Sequence, residues 1–181
     1  MRWILYPLIL VVGLFAIGIA VAAIVIVLTY PNLPSLEVLT DYRPKVPLRV
    51  FTADGQLIGE FGEERRNVVR IEDVPATMKQ AILAAEDERF YQHGGIDTLG
   101  MARAAIMNLT SGGKKQGAST ITQQVARNFF LSSEKTYTRK LYEVLLSFKI
   151  EHNLSKDQIL ELYVNQIFLG QRAYGFAAAA Q

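Results

Sequence analysis

Between Arg2 and Glu37 the chain carries no charged side chain, and residues 8–29 within that stretch are almost wholly aliphatic. A helix needs about 20 apolar residues to cross a bilayer core. A cleavable leader has a shorter apolar region, roughly 7–15 residues, followed by a small-residue cleavage site. Here Tyr30-Pro31-Asn32 closes the run with an aromatic and a helix-stopping Pro. The expectation is an uncleaved transmembrane anchor over residues 8–30, after a short cytoplasmic N-terminus of residues 1–7. Its orientation is not set by charge. Arg2 lies on one side, and Arg43, Lys45 and Arg49, mixed with Glu37 and Asp41, lie on the other.

Charge and composition remove several classes of function. The 19 Lys and Arg nearly balance the 17 Asp and Glu, so no polyanion-binding protein and no nucleic-acid partner is expected. With no cysteine, disulfides and thiolate metal sites are excluded, and His93 and His152, the only histidines, lack zinc-ligand spacing.

After the anchor, residues 31–47 form a linker punctuated by Pro31, Pro34, Pro44 and Pro47, expected to be extended. Residues 48–72 read as a β-hairpin region. Two strands flank Asp54-Gly55, a pair that favours the positive-φ turn of antiparallel hairpins, and residues 67–71 suggest a third strand. From residue 73 onward the pattern is helical. Met78, Ile82, Leu83 and Ala85 keep helical spacing in a segment ended by Gly94-Gly95, and residues 99–109 form a second helix. Residues 110–117 make a basic loop. Ser119 or Thr120 caps a helix to about residue 130, Thr138 caps one over 139–152, and Ser155 with Gln158 forms a capping box that opens a last helix through Val164.

Four clusters hold side chains able to do chemistry. Glu86-Asp87-Glu88 sits among Ala84, Ala85 and aromatics, where a carboxylate in a partly apolar cleft would serve as a general base. Gly117-Ala118-Ser119-Thr120-Ile121-Thr122-Gln123-Gln124, followed by Arg127, puts hydroxyls, amides and free N–H groups at a helix start, a cradle for phosphate or sugar. Arg139, Lys140 and Glu143 share one helical face, where two cations beside a carboxylate suit a pyrophosphate with a bridging metal. The segment from Lys156 to Gly170 is mostly core, with Glu161 and Asn165 less easily explained by packing. Read singly, each has an ordinary explanation: an acidic turn, a plain cap, a surface ion pair, a buried helix face. Ser111-Gly-Gly-Lys114 and Ser132-Ser-Glu-Lys135 fit the Ser-x-x-Lys nucleophile pattern, but no Ser-Asp-Asn or Lys-Thr-Gly partner accompanies them.

Taken in order, the four clusters resemble the motifs of glycosyltransferase family 51, the peptidoglycan polymerases, in their bifunctional class A penicillin-binding branch. Glu86-Asp87-x-x-Phe90-x-x-His93-x-Gly95 is similar to the first motif, and Gly117-Ala-Ser-Thr-Ile-Thr-Gln-Gln124 to the second. Arg139-Lys140-x-x-Glu143 is similar to the third, and the run from Lys156 to Gly170 to the fourth, with Phe168 where Tyr is commoner. The resemblance implies a mainly α, lysozyme-like peptidoglycan glycosyltransferase domain over residues 73–181, with a small N-terminal β-hairpin and one transmembrane helix. The family's fifth motif and its transpeptidase domain are missing, so the expectation is a chain truncated at the C-terminus.

The resemblance further implies polymerisation of lipid II into β-1,4 glycan with release of undecaprenyl pyrophosphate, on the periplasmic face of a bacterial inner membrane. The lipid bilayer, the growing glycan strand and cell-wall synthesis proteins would be its partners. Glu86 would be the base and Glu143 the second catalytic carboxylate. Glu143, with Arg139 and Lys140, would hold pyrophosphate and Mg²⁺ or another divalent cation, with no organic cofactor. Asp87, His93, Arg103, Ser119, Thr120, Gln123, Gln124, Arg127 and Asn165 would complete the substrate site. A membrane-bound lytic transglycosylase and a non-catalytic tethered scaffold are the alternatives.

Overall fold

A computed structural model describes residues 2–42, 44, 47–110, 117–131 and 136–180. Arg43, Lys45 and most of the expected basic loop (111–116) lie outside the described residues, as does the whole of both Ser-x-x-Lys segments. The chain divides into two compact units between Pro34 and Ser35.

The first unit is one helix, α1 (Arg2–Thr29), closed by a 3-10 turn at Tyr30–Asn32. Pro31 occupies the start of that turn, where a missing N–H leaves no bond unmade. The stretch Leu8–Asn32, 25 residues, is long and apolar enough to cross a membrane. Its aliphatic side chains lie all round the helix rather than along one stripe.

In the second unit the linker is not simply extended. It contains a short helix, α2 (Glu37–Thr40), with Leu39 5% exposed. The Tyr42 hydroxyl donates to Gln166 Oε1 at 2.8 Å, and its ring meets Phe129 edge-on. Apolar side chains next to a folded surface are covered by it, and composition alone did not reveal that surface. The hairpin follows as β1 (Leu48–Phe51) and β2 (Leu57–Phe61), antiparallel with Leu48 opposite Phe61 and Arg49 opposite Glu60. The Arg49–Glu60 cross-strand ion pair is 3.1 Å long. The turn at Asp54-Gly55 closes through the Gly55 N–H to Thr52 O.

The third strand is displaced from its expected place. β3 covers Arg65–Arg66 and pairs in parallel with β4 (Ala173–Tyr174), more than a hundred residues downstream. Residues 67–70 are not in a strand, and side chains take the backbone groups of Val69 and of Ile71 beyond it. Asn165 Oδ1 accepts the Val69 N–H at 2.9 Å while Asn165 Nδ2 donates to Val69 O at 2.8 Å, and Glu161 Oε2 accepts the Ile71 N–H at 2.7 Å. Asn165 is 4% exposed. Asn165→Ala leaves both Val69 groups without their partners, and thermal unfolding should show a loss of about 2–4 kcal/mol.

The helical part comprises α3 (Ala76–Glu86), α4 (Thr98–Thr110), α5 (Ile121–Phe130), α6 (Tyr137–Asn153), α7 (Lys156–Gln166) and α8 (Phe176–Ala179). Thr120 and Ser155 form capping boxes with Gln123 and Gln158. The cap of α6 is Thr136 rather than Thr138, its hydroxyl accepting the Arg139 N–H at 3.1 Å; two hydroxyls two residues apart look alike in sequence. The core is built around α5, whose residues 121–126 are all buried, against Leu146 and Ile150 of α6 and Ile159, Leu160 and Tyr163 of α7. Each such aliphatic side chain contributes roughly 1.5–3 kcal/mol by leaving water. Three of the six buried α5 residues are polar, and buried polar groups need partners. Those partners define the site.

Candidate functional site

α3 ends at Glu86, eight residues before the expected Gly94-Gly95. Asp87 leaves the helix at φ −160° and is 7% exposed. Its carboxylate accepts the Ile121 N–H at 3.1 Å, at the positive end of α5, and lies 2.9 and 3.1 Å from His93 Nε2. These bonds favour an extended Asp87 over another helical residue. Gly95 completes the return: φ is +88°, a Cβ would stand 3.1–3.2 Å from Ser147, and its carbonyl accepts the Thr120 hydroxyl at 2.7 Å.

The loop between these fixed points is tied to α7 as well. Lys156 Nζ lies 4.4 Å from the centre of the fully buried Phe90 ring. The Tyr91 hydroxyl donates to Asp157 at 2.8 Å. Burial and that bond push the Tyr91 phenol up to about 12.

Glu86 itself is exposed, at a cavity of about 500 Å³. The cavity is walled by the 84–89 segment, by Asp97, Gly100 and Arg103, and by Gly117, Ala118, Ser119, Thr120, Gln124 and Arg127. The expected apolar surroundings of Glu86 reduce to Ala84 and Ala85, because the α5 start opposite is polar. Gln124, 8% exposed, donates its amide to Glu86 Oε2 at 2.8 Å. Tyr163 lies behind: burial first, and the Glu86 charge second, raise its phenol to about 12, against the opposing pull of Arg127. It remains a neutral hydroxyl at working pH.

The third cluster joins this wall from beneath. Glu143 is 2% exposed, one oxygen bonded to Arg139 Nη1 and the other to Lys140 Nζ at 2.9 Å. Lys140 also donates to Ser119 Oγ and Gln123 Oε1, both at 3.0 Å, so a single ammonium ties the buried carboxylate to the α5 start. Arg139 Nε is buried without a partner among the described residues.

Of the sequence-derived candidates, Glu86, Arg103, Ser119, Gln124 and Arg127 line the cavity, as do Asp87 and Thr120, whose polar atoms are already engaged. Lys140 reaches the lining through Ser119. Gln123, Arg139 and Glu143 stand behind it, His93 supports Asp87, and Asn165 braces Val69 without lining the cavity. Arg89 and Asp97, paired on the cavity wall, were not read from the sequence. The Asp-x-x-Gly run opening α4 was their one local signal.

Glu143, the carboxylate expected to hold Mg²⁺, already has two partners in its own cluster. Both oxygens are held by cations, and no group of three or more His, Cys, Asp or Glu able to hold a metal occurs among the described residues. What the site presents is a carboxylate facing a polar cavity, with cations and hydroxyls able to hold an anion against the start of α5.

The family model described as Transglycosylase matches residues 54–181. Penicillin-binding protein 1A of Neisseria cinerea is 60% identical over 172 residues, 95% of this chain and 22% of that protein. Penicillin-binding protein 1A of Neisseria gonorrhoeae is 60% identical over 169 residues, 93% of this chain and 21% of its own length. Penicillin-binding protein 1A of Escherichia coli K12 is 54% identical over 151 residues, 83% of this chain and 18% of its own. The chain spans about a fifth of the length of these relatives.

Proposed function

The chain belongs to the transglycosylase family, its mainly α domain being lysozyme-like, and from that premise we propose that it polymerises lipid II into β-1,4 glycan at the outer face of a bacterial inner membrane. The observation that carries the reading is convergence. Glu86, the Ser119–Gln124 hydrogen-bonding edge and the Lys140 ammonium all meet at one helix start beside one cavity.

In the proposed step, the acceptor's 4-hydroxyl oxygen attacks the anomeric carbon of the donor sugar. Its proton passes to Glu86, and the bond from that carbon to the pyrophosphate oxygen breaks with the electron pair leaving on pyrophosphate. The charge that develops there is met by Ser119, by the helix start and by the Lys140 and Arg139 cations. Glu143 acts by holding those cations in place. Gln124, bonded to Glu86, fixes the direction of the carboxylate. No step is routed through a metal. α1 would keep the domain beside a substrate that is confined to the bilayer.

Product analysis tests the reading. Lipid II incubated with the full-length protein should yield linear glycan and undecaprenyl pyrophosphate in equal turnover. Anhydro-sugars released from finished wall would instead establish a lytic transglycosylase, and binding without turnover a scaffold.

A further inference from the structure

The cations on the cavity wall are held in different ways. Arg103 meets Glu88 at 3.7 Å in a pair 55% and 74% exposed, which contributes little. Arg89 and Asp97 are 22% and 16% exposed. The guanidinium meets the carboxylate with two nitrogens, Nη2 toward Oδ1 and Nε 3.2 Å from Oδ2, in the forked geometry of strong pairs. Asp97 is held by the helix too, since Oδ1 also accepts the Gly100 N–H at 2.8 Å and caps α4. A Cβ on Gly100 would stand 2.7 Å from Asp97 Cγ, so the bare glycine lets the carboxylate lie across the helix start.

Arg89 follows Glu86 by three residues on the same wall, and the proposed step gives it no part. A guanidinium loose in that cavity would pair with Glu86 and favour its charged, weakly basic form. The other groups facing Glu86 are Gln124 and Arg127 of α5, Tyr163 of α7, Arg103 of α4, and Asp87 and Glu88 of its own loop. Asp87 is engaged by His93 and the Ile121 N–H. Of the cations on this wall, Arg89 is the one whose direction a mostly buried carboxylate, Asp97, decides among the described residues.

We propose that Asp97 is a positioning residue that sequesters Arg89, keeping this cation off Glu86 so that the carboxylate stays free to take the acceptor's proton. The inference rests on the reading of Glu86 as the base. It treats the α4 cap and the catalytic carboxylate as parts of one charge arrangement.

The test is lipid II polymerisation by the full-length protein. Asp97→Asn keeps an oxygen for the Gly100 N–H and loses only the charge. We expect kcat to fall about tenfold with KM nearly unchanged, and the acidic limb of the kcat–pH profile to move down by about one unit. Adding Arg89→Gln to Asp97→Asn should restore most of both. A purely structural pair predicts the opposite, a double variant as slow as the single or slower with the limb unmoved, and that result overturns the proposal; so does Asp97→Asn polymerising at the wild-type rate. Gly100→Ala displaces the carboxylate without touching a charge and should copy Asp97→Asn, carrying the test if the latter melts below assay temperature. Glu86→Gln, run beside them, separates the two claims. An active Glu86→Gln defeats the base assignment itself, whereas an inactive one with no rescue by Arg89→Gln defeats only the sequestration.

Discussion

Glu86→Gln lowers the kcat of glycan polymerisation by about 10²–10⁴-fold, the contribution of a positioned general base, and leaves both KM and thermal stability close to wild type. Stability is spared because Glu86 is exposed and the one hydrogen bond of its carboxylate among the described residues, from Gln124 at 2.8 Å, is kept by the amide oxygen of glutamine. KM is spared because the residues assigned to the anion stand just before α5 and on α6, not on α3. Steady-state polymerisation with a parallel thermal melt checks both. Wild-type turnover would remove Glu86 from the chemistry, and a melted protein would give it a structural role instead.

Glu143→Ala has its main effect on folding. The carboxylate is 2% exposed and bonded to two cations. Removing it leaves Arg139 and Lys140 facing each other with their partner gone, a loss of about 3–5 kcal/mol. Denaturant unfolding measures this. Adding Lys140→Met to Glu143→Ala should recover part of it, since one uncompensated charge then remains in place of two; the two sites are coupled and their effects do not add. A Glu143→Ala protein as stable as wild type would mean that the cations, not the carboxylate, are the fixed members of the triad.

The legible parts of this fold were those written in local code. The apolar run became one helix, Asp54-Gly55 a hairpin turn, and the hydroxyl-to-amide spacing of Thr120–Gln123 and Ser155–Gln158 two capping boxes. Elements decided by distant partners were not legible. β3 exists because Ala173 and Tyr174 come back to it, and Val69 stays out of a strand because Asn165 holds it. α3 stops at Glu86 because the α5 start draws Asp87 out of the helix.

The site divides in the same way. Motif spacing could not separate the residues that line the cavity from those that brace it, and it did not point to Arg89 or Asp97. Asn165 and His93 brace, and Glu143, expected as a metal ligand, is bonded to Arg139 and Lys140. Lys156 and Asp157, read as part of a helix start, hold the loop that follows Glu86 through Phe90 and Tyr91.

Hydrogen exchange on the full-length protein, titrated with a lipid II analogue that cannot be turned over, tests the central claim most directly. The account predicts that amides of residues 117–124 and of the 86–97 loop gain protection together, along one binding curve, and that Lys140→Met weakens that curve without changing which amides are protected. Protection confined to the hairpin, or to one of the two segments without the other, would contradict it.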